Sequence, residues 1–131
     1  MPSKRTDDRF VWLRRAAGWI AALVLVTIGW THGVIFVEGG SMEPTLSAGD
    51  VLVYRRHQTG FETGDLVLFE HRGALVVHRV VSTLRGGRLR TRGDANESLD
   101  VTPVEPGEIT GEVVAVVPSG ALAARLAAWR E

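Results

Sequence analysis

Ala16–Val37 reads AAGWIAALVLVTIGWTHGVIFV, 22 residues without an Asp, Glu, Lys or Arg. As a helix rising about 1.5 Å per residue it covers roughly 33 Å, enough for a hydrocarbon core of about 30 Å. Buried core helices seldom run this long without a charged face, and Trp12, Trp19 and Trp30 suit interfacial anchoring near the ends. The stretch is therefore read as a membrane span, which divides the chain into residues 1–15, the span 16–37, a segment 38–118 and a tail 119–131. Lys4, Arg5, Arg9, Arg14 and Arg15 precede it and the next basic residue is Arg55, so the excess of positive charge predicts a cytoplasmic N-terminus and everything after Val37 outside. The run exceeds the roughly 7–15 apolar residues of a cleaved signal peptide, and no A-x-A-like site follows it. An uncleaved anchor is expected, single-pass in the plasma membrane.

The totals narrow the rest. The chain has 131 residues, 15 Lys plus Arg against 15 Asp plus Glu, and a hydrophobic fraction of 45%. That is one domain at most. The charge balance points neither to nucleic acid nor to an acidic disordered chain. Without cysteine there is no disulfide scaffold, thiolate zinc site or thiol nucleophile.

Beyond Glu38 the texture changes to short apolar runs broken by Gly, Asp and Arg. Val51–Tyr54, Leu66–Phe69, Leu75–Val81, Leu89–Thr91 and Glu112–Val117 are predicted strands. Ser47-Ala48-Gly49-Asp50, Thr63-Gly64-Asp65, Arg85-Gly86-Gly87 and Pro106-Gly107 supply turns between them. The expected fold is mostly β: a small antiparallel domain behind an N-terminal transmembrane helix. In the tail, Leu122, Leu126 and Trp129 at helical spacing predict a short amphipathic helix, with Arg125 and Arg130 beside them.

Ser41 follows two glycines and precedes Pro44, four residues past the predicted span. A serine needs a base to act as a nucleophile. The one lysine, Lys4, lies on the other side of the predicted span, which leaves the histidines. His32 falls inside the apolar segment, and His57 and His71 read as solvated surface residues. His78 differs, because strand alternation in Leu75-Val76-Val77-His78-Arg79-Val80-Val81 puts it on one face with Val76 and Val80. An imidazole there needs a partner. Arg92-Gly93-Asp94-Ala95-Asn96-Glu97-Ser98-Leu99-Asp100 offers two aspartates, either of which could orient it. Taken singly, these segments read as a turn, a core histidine and another turn; their combination carries the weight.

The combination resembles a type I signal peptidase (peptidase family S26). Ser41-Met42-Glu43-Pro44-Thr45-Leu46 is similar to the nucleophile box, Gly49-Asp50-Val51-Leu52-Val53 and Gly64-Asp65-Leu66-Val67 to two further boxes, and Val76-Val77-His78-Arg79-Val80 to the base segment. Gly93-Asp94-Ala95-Asn96, with Asp100 beyond, resembles the Gly-Asp box. Histidine rather than lysine at the base position marks the endoplasmic-reticulum and archaeal type. The resemblance implies Ser41 as nucleophile, His78 as general base and Asp100 as orienting carboxylate, with Asp94 a second carboxylate of less certain role. It implies Gly39, Gly40, Met42, Val76 and Val77 at the substrate, the Ser41 backbone N–H as an oxyanion donor, and neither metal nor cofactor.

The implied substrates are signal peptides of exported preproteins with small residues before the cleaved bond, lying extended beside a strand. The lipid bilayer and secretion-machinery proteins are the other implied partners; nucleic acid is not. Gly39 departs from the pattern, since some relatives carry a hydroxyl there. A dedicated maturation protease for a few clients fits the same residues, and a non-catalytic membrane-anchored binding module is the alternative of a different class.

Overall fold

The computed structural model describes residues 5–120, with side chains from Phe10 onward; the predicted tail helix beyond Gly120 lies outside them. The chain divides into two compact units at Thr31/His32. The first is α1, Arg5–Thr31. Its Phe10–Thr31 portion is long and apolar enough to cross a bilayer. A helix suits that environment because its backbone hydrogen bonds are satisfied internally. Its two late hydroxyls follow the same rule: Thr27 Oγ1 donates to the Leu23 carbonyl at 2.8 Å and Thr31 Oγ1 to that of Thr27 at 2.9 Å.

The second unit is a six-stranded antiparallel sheet formed by β1 (His32–Phe36), β2 (Val51–Arg55), β3 (Leu66–His71), β4 (Ala74–Thr83), β5 (Leu89–Arg92) and β6 (Ile109–Val117), in the order β1-β2-β6-β3-β4-β5. The mostly β architecture agrees with the sequence reading; two boundaries do not. The apolar run predicts a span reaching Val37, but α1 stops at Thr31 and His32–Phe36 is an edge strand. Ile35 of this strand, and Val37 just after it, pack on Met42, Leu46 and Leu52. Gly33 then admits the Tyr54 ring, which would stand 2.2 Å from any Cβ placed there. Strand β6 starts at Ile109, not Glu112: Gly111 lies within it, where a Cβ would meet the Arg55 carbonyl oxygen at 2.4 Å.

The sheet carries a small core on each face. Val67, Phe69, Val80, Leu89 and Val104 form one; Met42, Leu46 and Leu52, with Val77 and Val113 against them, form the other. The register Val34↔Val53↔Ala115 and Phe36↔Val51↔Val117 stacks six apolar side chains on one face of β1, β2 and β6. Val34, Phe36 and Val117 are 61%, 68% and 52% exposed there.

Two local features position the site. The β3–β4 hairpin turns on Arg72-Gly73, both at positive φ (52° and 79°), as a two-residue turn of the primed type requires. Strand β5 pairs only with Arg79–Thr83 of β4, so on that side Ala74–His78 has no strand partner among the described residues.

Candidate active site

Ser41 lies in the β1–β2 connection, His78 on β4 and Asp100 in the loop after β5. The sheet and its loops bring the three together. His78 Nε2 is 3.2 Å from Ser41 Oγ, and His78 Nδ1 is 2.6 Å from Asp100 Oδ2. His78 is buried, with its ring edge-on to Phe69 at a centroid distance of 6.0 Å, while Ser41 is exposed. A carboxylate on Nδ1 leaves Nε2 as the atom that can take a proton from the hydroxyl.

Backbone contacts hold the three segments in register. Ala95 N–H donates to the Ser41 carbonyl at 2.9 Å, and Asp100 N–H to that of Thr91 at 2.9 Å. Gly93 sits where these loops meet: a Cβ there would come within 2.5 Å of the Ser41 carbonyl oxygen and 3.1 Å of His78 Nε2. The glycine is required for close approach.

The two aspartates of the Gly93–Asp100 loop separate. Asp100 faces His78; Asp94 receives Arg79 through Nε at 2.8 Å and Nη2 at 2.6 Å, and Thr45 Oγ1 at 2.6 Å. The hydrogen-bonded Arg79 guanidinium, reinforced by Thr45, holds the Asp94 carboxyl below the usual carboxylate range, and Asp94 in turn raises Arg79. Asp94 thus ties β4 to the Ser41 segment without touching His78.

Ser41 stands between two cavities. One, of about 130 Å³, is lined largely by apolar residues, among them Ile35, Met42, Leu75 and Val77. Gly39 and Val76 also line it, whereas Gly40 lies instead beside the Glu43 side chain. The other, of about 630 Å³, opens on the His78 face. Gly39 has φ of 97°, a conformation that strains a side-chain-bearing residue, which gives a backbone reason for the missing hydroxyl. His32 and His57 line neither cavity; His71 lines the larger one.

A family profile described as Peptidase S24-like matches residues 17–114, three quarters of the chain. The chain belongs to the peptidase S24-like family. That label differs from the S26 expected of the motifs, but the relatives are of the anticipated kind. Among curated proteins, the chain is similar to the signal peptidase complex catalytic subunits of Pyrenophora tritici-repentis (31% identical over 99 residues, 65% of this chain and 57% of the relative) and Colletotrichum graminicola (34% over 99 residues, 65% and 58%). That of Saccharomyces cerevisiae is 33% identical over 75 residues, 53% of this chain and 45% of the relative. The chain thus spans about half the length of these relatives.

Sequence reasoning about this S24-like peptidase missed Thr91. Its side chain is fully buried, and Oγ1 donates to Asp100 Oδ2 at 2.6 Å, the oxygen that also faces His78 Nδ1. Alternation in Leu89-Arg90-Thr91-Arg92 places Thr91 on the buried face, a signal that was available; its partner nine residues away was not. Arg79 and Thr45 lie within the base and nucleophile segments, but their joint grip on Asp94 is visible only in the fold.

Proposed function

We propose that the protein is a membrane-anchored serine endopeptidase that removes signal peptides from exported proteins by acyl transfer. The observation that carries this is the continuous line Ser41 Oγ, His78 Nε2, His78 Nδ1, Asp100 Oδ2, with contacts of 3.2 and 2.6 Å. The likeness to signal peptidase catalytic subunits supports the substrate class.

In this reading His78 takes the Ser41 hydroxyl proton as Oγ attacks the carbonyl carbon at the end of the signal peptide. Asp100 stabilises the imidazolium, and the Ser41 backbone N–H faces the developing oxyanion. The C–N bond breaks, and His78 delivers its proton to the departing amine of the mature chain. A water, deprotonated by His78, then attacks the ester; the signal peptide leaves with a free carboxylate and Ser41 regains its proton. The cavity of about 130 Å³ suits small side chains before the cleaved bond, and the free Ala74–His78 edge suits an extended substrate. The basic residues ahead of the helix favour a cytoplasmic N-terminus and an extracytoplasmic site at the plasma membrane. The relatives are subunits of a complex, which supports partner proteins here too.

The deciding assay is cleavage of a precursor bearing a small-x-small site by the detergent-solubilised protein. We expect cleavage by the wild type, lost in Ser41→Ala and His78→Ala; cleavage surviving Ser41→Ala would remove the serine from the mechanism.

A further inference from the structure

We infer that the cavity on the His78 face is a subsite for an acidic side chain at the second residue before the cleaved bond, read by Arg72 and His71. The inference rests on the endopeptidase reading and deepens it.

The register supplies the geometry. Phe69↔Val76 and His71↔Ala74 are paired, so Phe69, His71, Val76 and His78 share one sheet face, and all four line the larger cavity. Leu75 and Val77 point to the opposite face and line the smaller cavity alone of the two, whereas Val76 lies between them and borders both. A peptide laid along the free Ala74–His78 edge sends successive side chains to opposite faces. One set enters the small apolar cavity and the intervening residue enters the large one. Size fixes the phase: about 130 Å³ takes the small side chains at the first and third positions before the cleaved bond, and about 630 Å³ is open to a long side chain at the second.

Direction follows as well. From Ser41 the small cavity reaches Val77 and Leu75, so the acyl side of the substrate runs from His78 toward the β3–β4 turn. That turn carries His71 and Arg72, both exposed and both lining the large cavity. Asn96 and Ser98 are polar lining residues, and Asp100 is the one lining carboxylate. Its Oδ2 is already occupied by His78 and Thr91. With Asp100 engaged by those partners at the His78 end, the Arg72 guanidinium at the turn end, with the His71 ring beside it as a hydrogen-bonding group, favours a Glu or Asp of the substrate and disfavours Lys. For a partly exposed pair the effect is modest, and attraction and repulsion together amount to about a tenfold difference in kcat/KM.

The test uses three matched precursors, Ala at the first and third positions before the cleaved bond and Glu, Gln or Lys at the second, cut by the full-length protein in detergent at low salt. We expect kcat/KM in the order Glu, Gln, Lys, spanning about tenfold. The ratio of Glu to Lys should collapse toward one in a His71→Gln/Arg72→Gln double variant and invert in Arg72→Glu. Cleavage of the Gln precursor without any acid preference, or a preference that survives the double variant, would overturn this subsite while leaving the peptidase reading intact. Failure to cut any precursor would overturn both.

Discussion

Thr91 and Asp94 bear on the candidate site through other side chains: Thr91 donates to Asp100, and Asp94 receives Arg79 and Thr45. Thr91 donates to the oxygen of Asp100 that faces His78, so removing its hydroxyl leaves that carboxylate one bond short in a buried position. We expect Thr91→Val to lower kcat about tenfold or more with little change in KM, and Thr91→Ser to recover most of it. An equal loss in the serine variant would show that packing alone matters. For Asp94 the sign is set by its lowered pKa: the contribution to stability is present above the ordinary carboxylate value of about 3.9 and is lost as pH falls through the folded value. Asp94→Asn should therefore melt several degrees below wild type near neutral pH, with the gap closing below about pH 4. Melting curves across that range are the check. Ser41 and His78 were legible because a nucleophile must have a base and the inventory left few. Between Asp94 and Asp100 the residues alone did not choose, since both follow β5; the resemblance pointed to Asp100, and the fold adds the reason that Arg79 has taken Asp94.

At the level of elements, composition located five of the six strands but concealed the first. A hydropathy run cannot distinguish a lipid-facing helix from a strand that packs on a core, and His32–Phe36 joins the two without a polar break. The distinguishing contact is Tyr54 over Gly33, 21 residues apart in sequence and adjacent through the β1–β2 register. Gly33→Ala should cost about 1–3 kcal/mol, as overpacking a fitted contact does, measured by denaturant titration. Gly93→Ala tests the site's own assembly. A Cβ there collides with the Ser41 carbonyl, so we expect activity to fall by about two orders of magnitude, since misplacement by an ångström is enough. Hydrolysis at the wild-type rate would show that the loops yield more readily than their contacts indicate.

For the whole molecule, the helix is not the only apolar surface. Val34, Phe36, Val51, Val53, Ala115 and Val117 share a sheet face, and the outermost of them are more than half exposed. A protein lacking residues 1–31 should therefore still need detergent to stay monomeric, which light scattering would register. Monodisperse behaviour in plain buffer would show that this face is harmless. The absence of cysteine makes the orientation directly measurable. A Ser98→Cys variant in intact cells should react with a membrane-impermeant maleimide if the sheet lies outside.

The edge of Ala74–His78 turned away from β3, which has no strand partner among the described residues, has one more consequence. On the proposed reading the substrate supplies the strand that Ala74–His78 lacks, so each turnover adds a strand to the sheet and then peels it away. Departure of the severed leader is a small unzipping reaction, slowest for leaders rich in β-branched residues and impeded at the outset by a proline where a backbone N–H must pair. Rapid mixing with such leaders would show a burst of mature product followed by a slower steady rate, and the enzyme's pace would be set by how long a finished guest holds its place in the sheet.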